Sequence, residues 1–473
     1  MNDNVRLLLG VGLASIVTAL VSGQSGPTAA VNPRGQWTQP PESFAMRVVA
    51  GGLQSPWEVT WGPDGFLWVT ERVGKRIVRI NPTDGSRFVA ATIDEVRQSL
   101  EHDGLLGMAL HPGLLGKAQE NYVYVAYTYD ADSGPAVALR AKIRRYTYSP
   151  QAQRLESPVD LLRDLPHGTD HGGGRLLFGP DRKLYVSRGD HGANFLANYC
   201  LRNRAQDLPT AAEIRVGDWE TYQGKVLRMN LDGSIPDDNP VLAGVRSHIY
   251  SYGHRNQQGM VFDPAGRLYA SEHGQDTDDE VNLIEAGRNY GWPLIAGYKD
   301  DQYYVYENWS ASSPTPCSSL TFGRSVPDSV PRSHESKADL SRFTEPLKTF
   351  FTVPSAYPRE TLGNATIAPG GIDIYVSQTI PGWRTSLLLT ALRTGLVYRI
   401  PVTDGGRRLG TPLTYFKSTN RYRDLAIAPD GRRIFLVTDN EGQTLSEVGT
   451  STRELAHPGA LLEFAYAGRA APR

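Results

Sequence analysis

One phrase recurs along this chain: an apolar residue, a glycine or alanine, a proline, a turn, and then a short run of β-forming residues. Because a proline followed by a tight turn separates two strands, each copy predicts a strand–turn–strand unit that cannot bury its own faces. Stacking such units in a closed ring buries the faces and protects the strand edges. The recurrence predicts an all-β fold, a six-bladed β-propeller anchored on the prolines of the copies: Pro63, Pro112, Pro180, Pro264, Pro369 and Pro429.

The copies are unevenly spaced along the chain. They are "WGPDGFLWVTE" (61–71), "LHPGLLGKAQENYVYVAY" (110–127), "FGPDRKLYVSRGD" (178–190), "FDPAGRLYASEHG" (262–274), "IAPGGIDIYVSQ" (367–378) and "IAPDGRRIFLVTD" (427–439). We interpret the long intervals on either side of Pro264 as loop insertions on one face, where binding sites tend to lie. The uneven spacing leaves open a generic all-β protein in which such turns recur by chance.

The two ends of the chain differ from the repeats. The first residues combine one arginine, an apolar run and small residues near Gly23, which predicts a secretory signal peptide over 1–23. A Pro/Gly/Ser-rich linker over 24–45, the propeller over 46–467 and a short tail over 468–473 follow. No later segment reaches the ~18 apolar residues of a spanning helix, so we expect a periplasmic or secreted protein without stable membrane insertion. A lipid-anchored or uncleaved form stays open.

Composition excludes several classes of partner. The chain has 473 residues and a formal net charge of −1, so no bulk field attracts it to nucleic acid or to anionic membrane. No basic–aromatic pattern indicates nucleic-acid binding, and no G-x-G-x-x-G motif opens a βαβ unit for a nicotinamide cofactor. The two cysteines, Cys200 and Cys317, form either a disulfide or two separate buried thiols, and the sequence leaves both open.

Titratable groups and glycines are concentrated in "TDHGGGRLLFGPDRKLYVSRGDHG" (169–192). Asp170 and Asp190 could orient the imidazole of His171 as a general base, and a histidine that only hydrogen-bonds within a turn is the alternative. "HGGG" is typical of an esterase oxyanion loop, but the chain has no G-x-S-x-G motif. The spacing of His167 and His171 suits a helical zinc pair, but the surrounding glycines make a helix improbable.

Arginines near predicted turns form a second group of candidate residues: Arg255, Arg393, Arg421 and Arg423. In "NRYRD" two of them are two positions apart, so on a strand they would point the same way. Guanidinium groups bind carboxylates through paired hydrogen bonds, so the group indicates a polyanionic ligand. For any one of these arginines alone, ordinary surface ion pairing is the alternative.

Acidic residues cluster in "SEHGQDTDDEVNLIEAGRNYGWPLIAGYKDD" (271–301). Carboxylates, glycines and exposed carbonyls suit Ca²⁺, which takes oxygen ligands in flexible geometry. The EF-hand pattern is absent, and a solvated acidic loop is the alternative.

Several long motifs carry a resemblance to a known family: "DHGGGRLLFGPDRKLYVSRGDHG", "TYQGKVLRMNLDGSIPDDNP", "HIYSYGHRNQQG", "EVNLIEAGRNYGWPLIAGYKDD" and "FKSTNRYRDLAIAPDG". They closely resemble the soluble quinoprotein glucose dehydrogenases, within the wider glucose/sorbosone dehydrogenase family, from about residue 46 to 467. The resemblance implies a six-bladed propeller that uses pyrroloquinoline quinone (PQQ) and Ca²⁺. It also implies oxidation of glucose or a related aldose at C1 to the lactone, often by a homodimer.

The resemblance also implies which residues bind the cofactors. The positions that match the family's PQQ contacts are Arg255, Asn256, Thr366, Arg393, Arg421 and Arg423. One Ca²⁺ would be bound by the main-chain carbonyls of Gly274 and Gln275 and would polarise the quinone. A further, structural Ca²⁺ would take side-chain and main-chain oxygens from Asp279, Glu280, Tyr290, Ala296, Tyr298, Asp300 and Glu335.

The implied reaction is a base-assisted hydride transfer. His171 would take the proton of the C1 hydroxyl while hydride passes to PQQ, and Asp190, with Asp170, would hold the imidazole and stabilise its charged form. The electrons would then pass to an external acceptor such as a quinone, a cytochrome or a dye.

The chain departs from the family on the substrate side. The resemblance assigns His102, Asp103 and His273 to the substrate, but the two histidines stand where the family has glutamine. Asn364 stands in a shortened loop where a tryptophan is expected, which removes an aromatic platform for a sugar ring. Arg393 replaces a lysine and keeps its charge. The identity of the sugar therefore stays open.

Two other functions also fit a propeller. A non-catalytic propeller that binds a sugar or a protein needs neither His171 with Asp190 nor the full set of arginines. A calcium-dependent hydrolase of the lactonase type needs carboxylates that point into the central channel, whereas the acids here cluster in one loop. The dehydrogenase is therefore the function that the sequence favours.

Overall fold

The computed structural model describes residues 40–132, 134–357 and 365–469. The predicted signal peptide over 1–23, residues 24–39 of the predicted linker, Asn364 and residues 470–473 of the predicted tail lie outside these ranges. The propeller extends beyond the predicted bounds of 46 and 467, since its first strand begins at Glu42 and its last ends at Arg469. Almost all of the regular secondary structure within the described ranges is β-strand.

Six sheets of four or five strands form the blades, here numbered 1 to 6 by the strand of each that lies nearest the axis, and six short strands form three separate two-stranded ribbons. The first half begins with β1 (Glu42–Ala50), and blade 1 follows with β2 (Pro56–Trp61), β3 (Leu67–Glu71), β4 (Arg76–Ile80) and β5 (Arg87–Thr92). Blade 2 comprises β6 (Leu105–Leu110), β7 (Tyr122–Asp130), β8 (Leu139–Ser149) and β9 (Arg154–Pro166). Blade 3 comprises β10 (Gly173–Phe178), β11 (Leu184–Arg188), β12 (Lys225–Met229) and β15 (Ile249–Tyr252), and the ribbon of β13 (Val241–Leu242) and β14 (Val245–Arg246) lies between its last two strands in the sequence.

The second half is arranged in the same way. Blade 4 comprises β16 (Gln257–Phe262), β17 (Leu268–Glu272), β18 (Asp279–Ile284) and β21 (Lys348–Phe350), and the ribbon of β19 (Tyr306–Glu307) and β20 (Arg332–Ser333) lies between its last two strands in the sequence. Blade 5 comprises β22 (Pro369–Tyr375), β23 (Ser386–Ala391), β24 (Leu396–Thr403), β25 (Arg408–Leu409) and β26 (Leu413–Tyr415). Blade 6 comprises β27 (Tyr422–Ile427), β28 (Arg433–Thr438) and β31 (Leu461–Arg469), and the ribbon of β29 (Thr444–Leu445) and β30 (Ser451–Thr452) lies between β28 and β31 in the sequence.

The blades form a closed ring around a central axis. The first strands of neighbouring blades contact one another in the cyclic order β2, β6, β10, β16, β22, β27 and back to β2. In blade 6, β31 pairs with the amino-terminal strand β1, so the sheet order is β27-β28-β31-β1. The predicted six-bladed β-propeller is confirmed, and its ring is closed by pairing of the two ends of the described chain.

The hydrophobic core lies between the blades, with one cluster at each of the six interfaces. At the interface of blades 6 and 1, for example, Val59 and Val69 pack with Ala426, Phe435 and Val437. Strands that are covered on both faces are apolar almost throughout, which explains runs such as "LLLT" in β23. The apolar faces predicted for the repeats are therefore buried by stacking of the blades.

One of the six predicted turns is wrong. In five copies the proline stands in the turn between the first two strands of a blade, but Pro369 is the first residue of β22. A proline is tolerated there because the first residue of a strand needs no donor. The glycines that follow pack against the backbone of blade 6, since a Cβ on Gly370 would lie 2.4 Å from the carbonyl oxygen of Arg423.

Both long intervals are insertions that reach the same face. Residues 189–224 separate β11 from β12 and contain the short helix α1 (Ala211–Val216), and residues 285–347 separate β18 from β21. A disulfide joins Cys200 of the first insertion to Cys317 of the second, so the pairing that the sequence left open is formed. The described ranges also contain short 3₁₀ turns: Leu196–Asn198, Trp309–Ala311, Cys317–Ser319, Glu335–Lys337 and Asp404–Gly406. None of the helices in the described ranges is long and apolar enough to cross a bilayer.

The buried His248 predicts how stability depends on pH. Its Nδ1 lies 3.1 Å from the Tyr222 hydroxyl and its Nε2 lies 3.0 Å from the carbonyl oxygen of Gly233, which suits a neutral imidazole. Burial lowers the pKa of His248 to about 4, whereas an unfolded histidine titrates near ~6.5. The unfolded state therefore binds more protons between these values, and the free energy of unfolding should fall as pH drops from ~6.5 to ~4, by up to about 3 kcal/mol from this residue.

The measurement is urea unfolding of the wild type and of His248→Gln at several pH values. The difference in unfolding free energy between them should shrink by that amount toward acid pH. His334→Gln, at an exposed position, is the control and should run parallel to the wild type. A His248→Gln variant that also runs parallel would contradict the assignment.

Candidate active site

The residues singled out in the sequence lie at one end of the propeller axis. Within each blade the first two strands are antiparallel, so the beginning of the first strand and the end of the second lie at the same face. His102, His171 and Arg255 stand just before first strands of blades 2, 3 and 4, and Arg421 stands just before that of blade 6. Asp190 follows the second strand of blade 3. The site is therefore assembled from strand ends of several blades.

His171 and Asp190 form a buried pair. Nδ1 of His171 lies 2.7 Å from Oδ1 of Asp190, and the two residues are 6% and 0% exposed. Because a carboxylate only accepts hydrogen bonds, Nδ1 carries the proton and Nε2 is left as the basic nitrogen. This arrangement can perform general acid–base chemistry at Nε2.

Asp190 is held by three further donors. Its carboxylate accepts hydrogen bonds from the main-chain nitrogen of Gly192 (2.9 Å), from Nδ2 of Asn203 (2.9 Å) and from the indole nitrogen of Trp292 (2.6 Å). Burial acts to raise the pKa of Asp190, but the charge and hydrogen bond of His171 and the charge of Arg255 outweigh it and lower the pKa. Asp190 is therefore ionised and fixed in orientation.

Sequence reasoning missed Asn203 and Trp292. Both lie in the insertions, where no repeat or spacing indicates which side chains turn inward. Trp292 lies inside one of the motifs that resemble the family, but that motif does not indicate which atoms face Asp190, and Asn203 lies outside all of them.

The glycines beside the pair allow close backbone packing. A Cβ on Gly189 would lie 1.8 Å from the carbonyl oxygen of His171. The next residue, Asp190, donates its main-chain N–H to the carbonyl oxygen of Arg255 at 2.8 Å. Any side chain at position 189 would therefore separate the loops that carry His171 and Arg255.

Asp170 connects His171 to His102. Oδ1 of Asp170 accepts the main-chain N–H of His171 at 2.8 Å, and it lies 3.6 Å from Nε2 of His171 and 3.2 Å from Nε2 of His102. Burial lowers the pKa of His102 to about 4, so its ring is neutral at pH 7 and its Nε2–H can donate to Asp170. The structure thus brings together the predicted catalytic residues and one predicted substrate residue.

The geometry does not support a substrate contact for Asp103. Its Oδ1 accepts the main-chain N–H of Leu100 at 2.8 Å, and its Oδ2 accepts the main-chain N–H of Ser99 at 2.9 Å and the Ser99 hydroxyl at 2.5 Å. Asp103 is fully buried. It holds the turn that carries His102, because an aspartate can satisfy nearby backbone donors in a tight loop.

His273 lies between blades 4 and 5, directly after β17. Its Nε2 is 2.7 Å from the carbonyl oxygen of Pro369, and its own carbonyl oxygen accepts a hydrogen bond from Nη1 of Arg255 at 3.2 Å. Burial, together with the charge of Arg255, lowers the pKa of His273 well below its usual value, so the ring is neutral. The structure joins His273 to the predicted cofactor residues.

Two of the predicted arginines share one carboxylate. Arg423 binds Asp439 through Nε at 2.9 Å and Nη2 at 2.8 Å, and Arg421 binds the same carboxylate through Nε at 3.2 Å. Burial acts to raise the pKa of Asp439, but the two arginine charges lower it. Asp439, which was not predicted, positions both guanidinium groups and leaves their combined charge positive.

Gln258 connects blade 6 to the other cofactor residues. Its Oε1 accepts a hydrogen bond from Nη1 of Arg423 at 3.1 Å, and its Nε2 donates to Oδ1 of Asn256 at 2.9 Å. Nε of Arg255 and Nδ2 of Asn256 are buried and find no hydrogen-bond partner among the described residues. These unpaired donors suit an anionic ligand with several oxygens.

Asp279 ties the predicted cofactor and metal residues together. Its Oδ1 accepts the main-chain N–H of Gly274 at 3.0 Å, and its Oδ2 accepts the Thr366 hydroxyl at 2.6 Å. Burial raises the pKa of Asp279 to about 6. Gln275, beside Gly274, lines a cavity of about 130 Å³.

That cavity is walled by aromatic side chains from both insertions. Its lining includes Phe195, Tyr303, Tyr304 and Phe322 beside Gln275. Aromatic faces of this kind can pack against the apolar face of a sugar ring. Sequence reasoning did not identify this feature.

The remaining predicted metal ligands lie in β18 and in the insertion that follows it. Oε1 of Glu280 accepts the main-chain N–H of Gly297 at 2.7 Å, and Glu335 accepts those of Ala296 at 2.9 Å and Asp300 at 3.3 Å. The carbonyl oxygen of Tyr298 accepts the Asp300 main-chain N–H at 2.9 Å.

The hydroxyl of Tyr290 donates to the carbonyl oxygen of Leu283 at 2.5 Å, so any contribution of Tyr290 to a metal site would come from its main chain.

The carboxylates of this group have the chemistry of an oxygen-ligand site. Burial raises the pKa of Glu335 to about 7, and burial together with the charge of Glu272 raises that of Glu280 well above its usual value. In the described ranges no group of three or more His, Cys, Asp or Glu side chains is placed to hold a metal. A cation here would therefore depend on main-chain oxygens as well, which Ca²⁺ accepts.

The saturated carboxylate of Asp190 yields a test of the geometry. Asp190→Asn replaces one acceptor oxygen by a donor that opposes an existing N–H, so it should lower the free energy of unfolding by about 3 kcal/mol. Urea unfolding measures the loss. Asp170→Asn is the matched control: Asp170 is 29% exposed, and its replacement should cost about 1 kcal/mol or less. Equal losses for the two variants would contradict the geometry.

Comparisons with known proteins show which family the chain belongs to. The family model described as glucose/sorbosone dehydrogenase matches residues 53–324 and 352–447. The chain is 41% identical over 440 residues to quinoprotein glucose dehydrogenase B of Acinetobacter calcoaceticus, covering 90% of this chain and 91% of that protein. It is 27% identical over 418 residues to the aldose sugar dehydrogenase YliI of Escherichia coli, covering 86% and 93%.

A solved structure agrees with the fold. The PQQ-bound aldose sugar dehydrogenase of Streptomyces coelicolor superposes with a TM-score of 0.62 at 28% identity, covering 90% of this chain and 100% of that one. By the match to the family model and by the extent of the identity, this chain belongs to the glucose/sorbosone dehydrogenase family.

Proposed function

We propose that this protein is a PQQ- and Ca²⁺-dependent dehydrogenase that oxidises an aldose at C1 to the lactone. The observation that carries the proposal is a buried His171–Asp190 pair that shares one face of the propeller with the guanidinium groups of Arg255 and Arg423. Family membership supports the reaction class, and the similarity to a quinoprotein glucose dehydrogenase and to a PQQ-bound aldose sugar dehydrogenase supports the cofactor and the type of substrate.

The cofactor-facing residues fit a flat tricarboxylate. Nε of Arg255 and Nδ2 of Asn256 are buried donors without partners in the described structure, and a carboxylate or quinone oxygen would satisfy them. Arg421 and Arg423 share one Asp439 and so keep positive charge for a further carboxylate. When bound, PQQ supplies an o-quinone that accepts two electrons.

Ca²⁺ is proposed at two places. The first uses the main-chain carbonyls of Gly274 and Gln275, in a loop that Asp279 holds through the Gly274 N–H. The second is structural, and its proposed ligands are Asp279, Glu280, Tyr290, Ala296, Tyr298, Asp300 and Glu335, some through main-chain oxygen. Support comes from the raised pKa values of Asp279 and Glu335, since a nearby cation would keep such buried carboxylates ionised.

The chain's own residues would move the proton. Nε2 of His171 accepts the proton of the C1 hydroxyl, while Asp190 keeps the Nδ1 proton in place and stabilises the imidazolium that forms. Asp170, 3.6 Å from Nε2, adds negative charge on the same side. A pure binding module would have no use for a buried carboxylate aimed at this imidazole.

The substrate would lie between this pair and the aromatic cavity beside Gln275. His102 and His273 are neutral and can exchange hydrogen bonds with sugar hydroxyls without adding charge. The electrons would leave to an external acceptor such as a quinone, a cytochrome or a dye. Export to the periplasm or medium is an expectation from the signal-like amino-terminal segment, and assembly as a homodimer is an expectation from the resemblance.

Reconstitution tests the cofactor and the reaction class. The purified protein is mixed with PQQ and Ca²⁺, and dye reduction is followed with a panel of aldoses. We expect a PQQ-dependent change in absorbance and turnover with at least one aldose, and chelation by EDTA before PQQ is added should abolish both. Absence of both signals with every aldose would contradict the proposal.

His171→Gln tests the base. General-base catalysis contributes typically 10²–10⁴-fold, so kcat should fall by about that factor while PQQ still binds, because His171 is not among the proposed PQQ contacts. The readouts are dye reduction and a PQQ binding titration. His334→Gln serves as the control. Turnover near that of the wild type in His171→Gln would refute the role of His171.

A further inference from the structure

A second buried cationic cluster lies behind the pair of His171 and Asp190. Its centre is Arg188, the last residue of β11, which is 1% exposed. Nη2 of Arg188 donates to the carbonyl oxygen of Pro166 at 2.5 Å and lies 3.2 Å from Nδ1 of His167. The site described above uses neither of these contacts.

No carboxylate among the described residues forms an ion pair with Arg188. Its Nε is buried and has no hydrogen-bond partner there. The carboxylate of Asp190, two residues away, already accepts from His171, Gly192, Asn203 and Trp292. Burial alone lowers the pKa of Arg188 to about 10, so the guanidinium is still charged at pH 7.

The histidines around Arg188 cannot balance its charge. The rings of His167 and His191 lie 5.9 Å apart, and both residues are buried. Burial, with the charge of Arg188, lowers the pKa of His191 to about 3 and that of His167 well below its usual value, so both are neutral. Neutral imidazoles add no negative charge, so the cluster as a whole stays positive.

The unpaired atoms of the cluster share one requirement. Nε of Arg188 can only donate, and Nε2 of His191 is also buried without a partner among the described residues. A neutral His191 with its proton on Nε2 donates as well. Nε2 of His167 already lies 3.3 Å from the carbonyl oxygen of His102. Nε of Arg188 therefore needs an acceptor, and Nε2 of His191 in this tautomer needs one as well.

Charge decides between the possible acceptors. A water molecule would accept hydrogen bonds but would leave a buried guanidinium uncompensated, and an unpaired buried ion costs several kcal/mol. A small anion accepts from both donors and also neutralises the charge. A cation would meet only donors and positive charge.

We propose that Arg188 and His191 hold a small monovalent inorganic anion, with chloride as the physiological occupant. The site lies inside blade 3, where His191 directly follows Asp190 and His167 contacts the loop of His102. It therefore supports the wall of the active site from behind. The proposal does not depend on the proposed dehydrogenase function, and its tests do not use activity.

Bromide provides a direct test on the wild-type protein. Crystals grown with sodium bromide in place of chloride should show an anomalous peak near Nε of Arg188 and Nε2 of His191. A data set recorded at the bromine edge identifies the peak. Density there without an anomalous signal would mean a water molecule and would overturn the proposal, and so would the absence of any density.

Thermal unfolding tests whether the anion contributes to the folded state. After exhaustive dialysis into gluconate, adding 200 mM chloride should raise the Tm of the wild type by about 3 °C or more, since only the folded state binds the ion. Sodium gluconate at the same ionic strength should give no such rise.

Two variants separate this site from general salt effects. Arg188→Met removes the charge and keeps the length of the side chain, so its Tm should be the same in chloride and in gluconate. Arg182→Met removes an exposed arginine of the same blade and should keep the full chloride response. A chloride response that persists in Arg188→Met would contradict the proposal, and if this variant does not fold, the bromide experiment on the wild type decides.

Discussion

The whole site depends on the pairing of β1 with β31, because this contact closes the ring. His171 belongs to blade 3 and Arg423 to blade 6. The two side chains can face one ligand only if the interfaces between the blades that separate them keep their spacing. Closure also gives blades 6 and 1 their shared core, in which Val59 and Phe435 pack together. An open ring would expose that core and separate the strand ends, so global packing and local chemistry have the same origin.

Three buried carboxylates inside the ring, those of Asp190, Asp439 and Asp279, are each surrounded by donors. Asp190 accepts four hydrogen bonds, Asp439 binds two arginines, and Asp279 is held by Gly274 and Thr366. This saturation offsets the cost of burial and fixes the direction of each group. Arg188 contrasts with these groups, because no described carboxylate pairs with it and its buried Nε has no described hydrogen-bond partner.

Sequence reasoning reached the fold because its signal is local and repeated. A proline turn between two alternating apolar runs predicts the first two strands of five blades correctly. Only the turn at Pro369 is wrong, because a proline followed by glycines also suits the first residues of a strand. The site was predictable where a motif names a chemical type, as at His171 with Asp190. It was not predictable where an inward-facing atom comes from an insertion: Trp292 gives no pattern that points to Asp190.

The substituted histidines show how substrate choice can change while the proposed redox chemistry is kept. A glutamine presents one donor and one acceptor group, and a neutral imidazole also presents one donor and one acceptor, but on opposite sides of a rigid ring. His102 and His273 are both held neutral by burial, and their Nε2 atoms lie beside Asp170 and the Pro369 carbonyl. At the proposed sugar contacts, the exchange would alter the shape and direction of the hydrogen bonds without adding charge near His171, so specificity would diverge while the electrostatics of the proposed base stay the same.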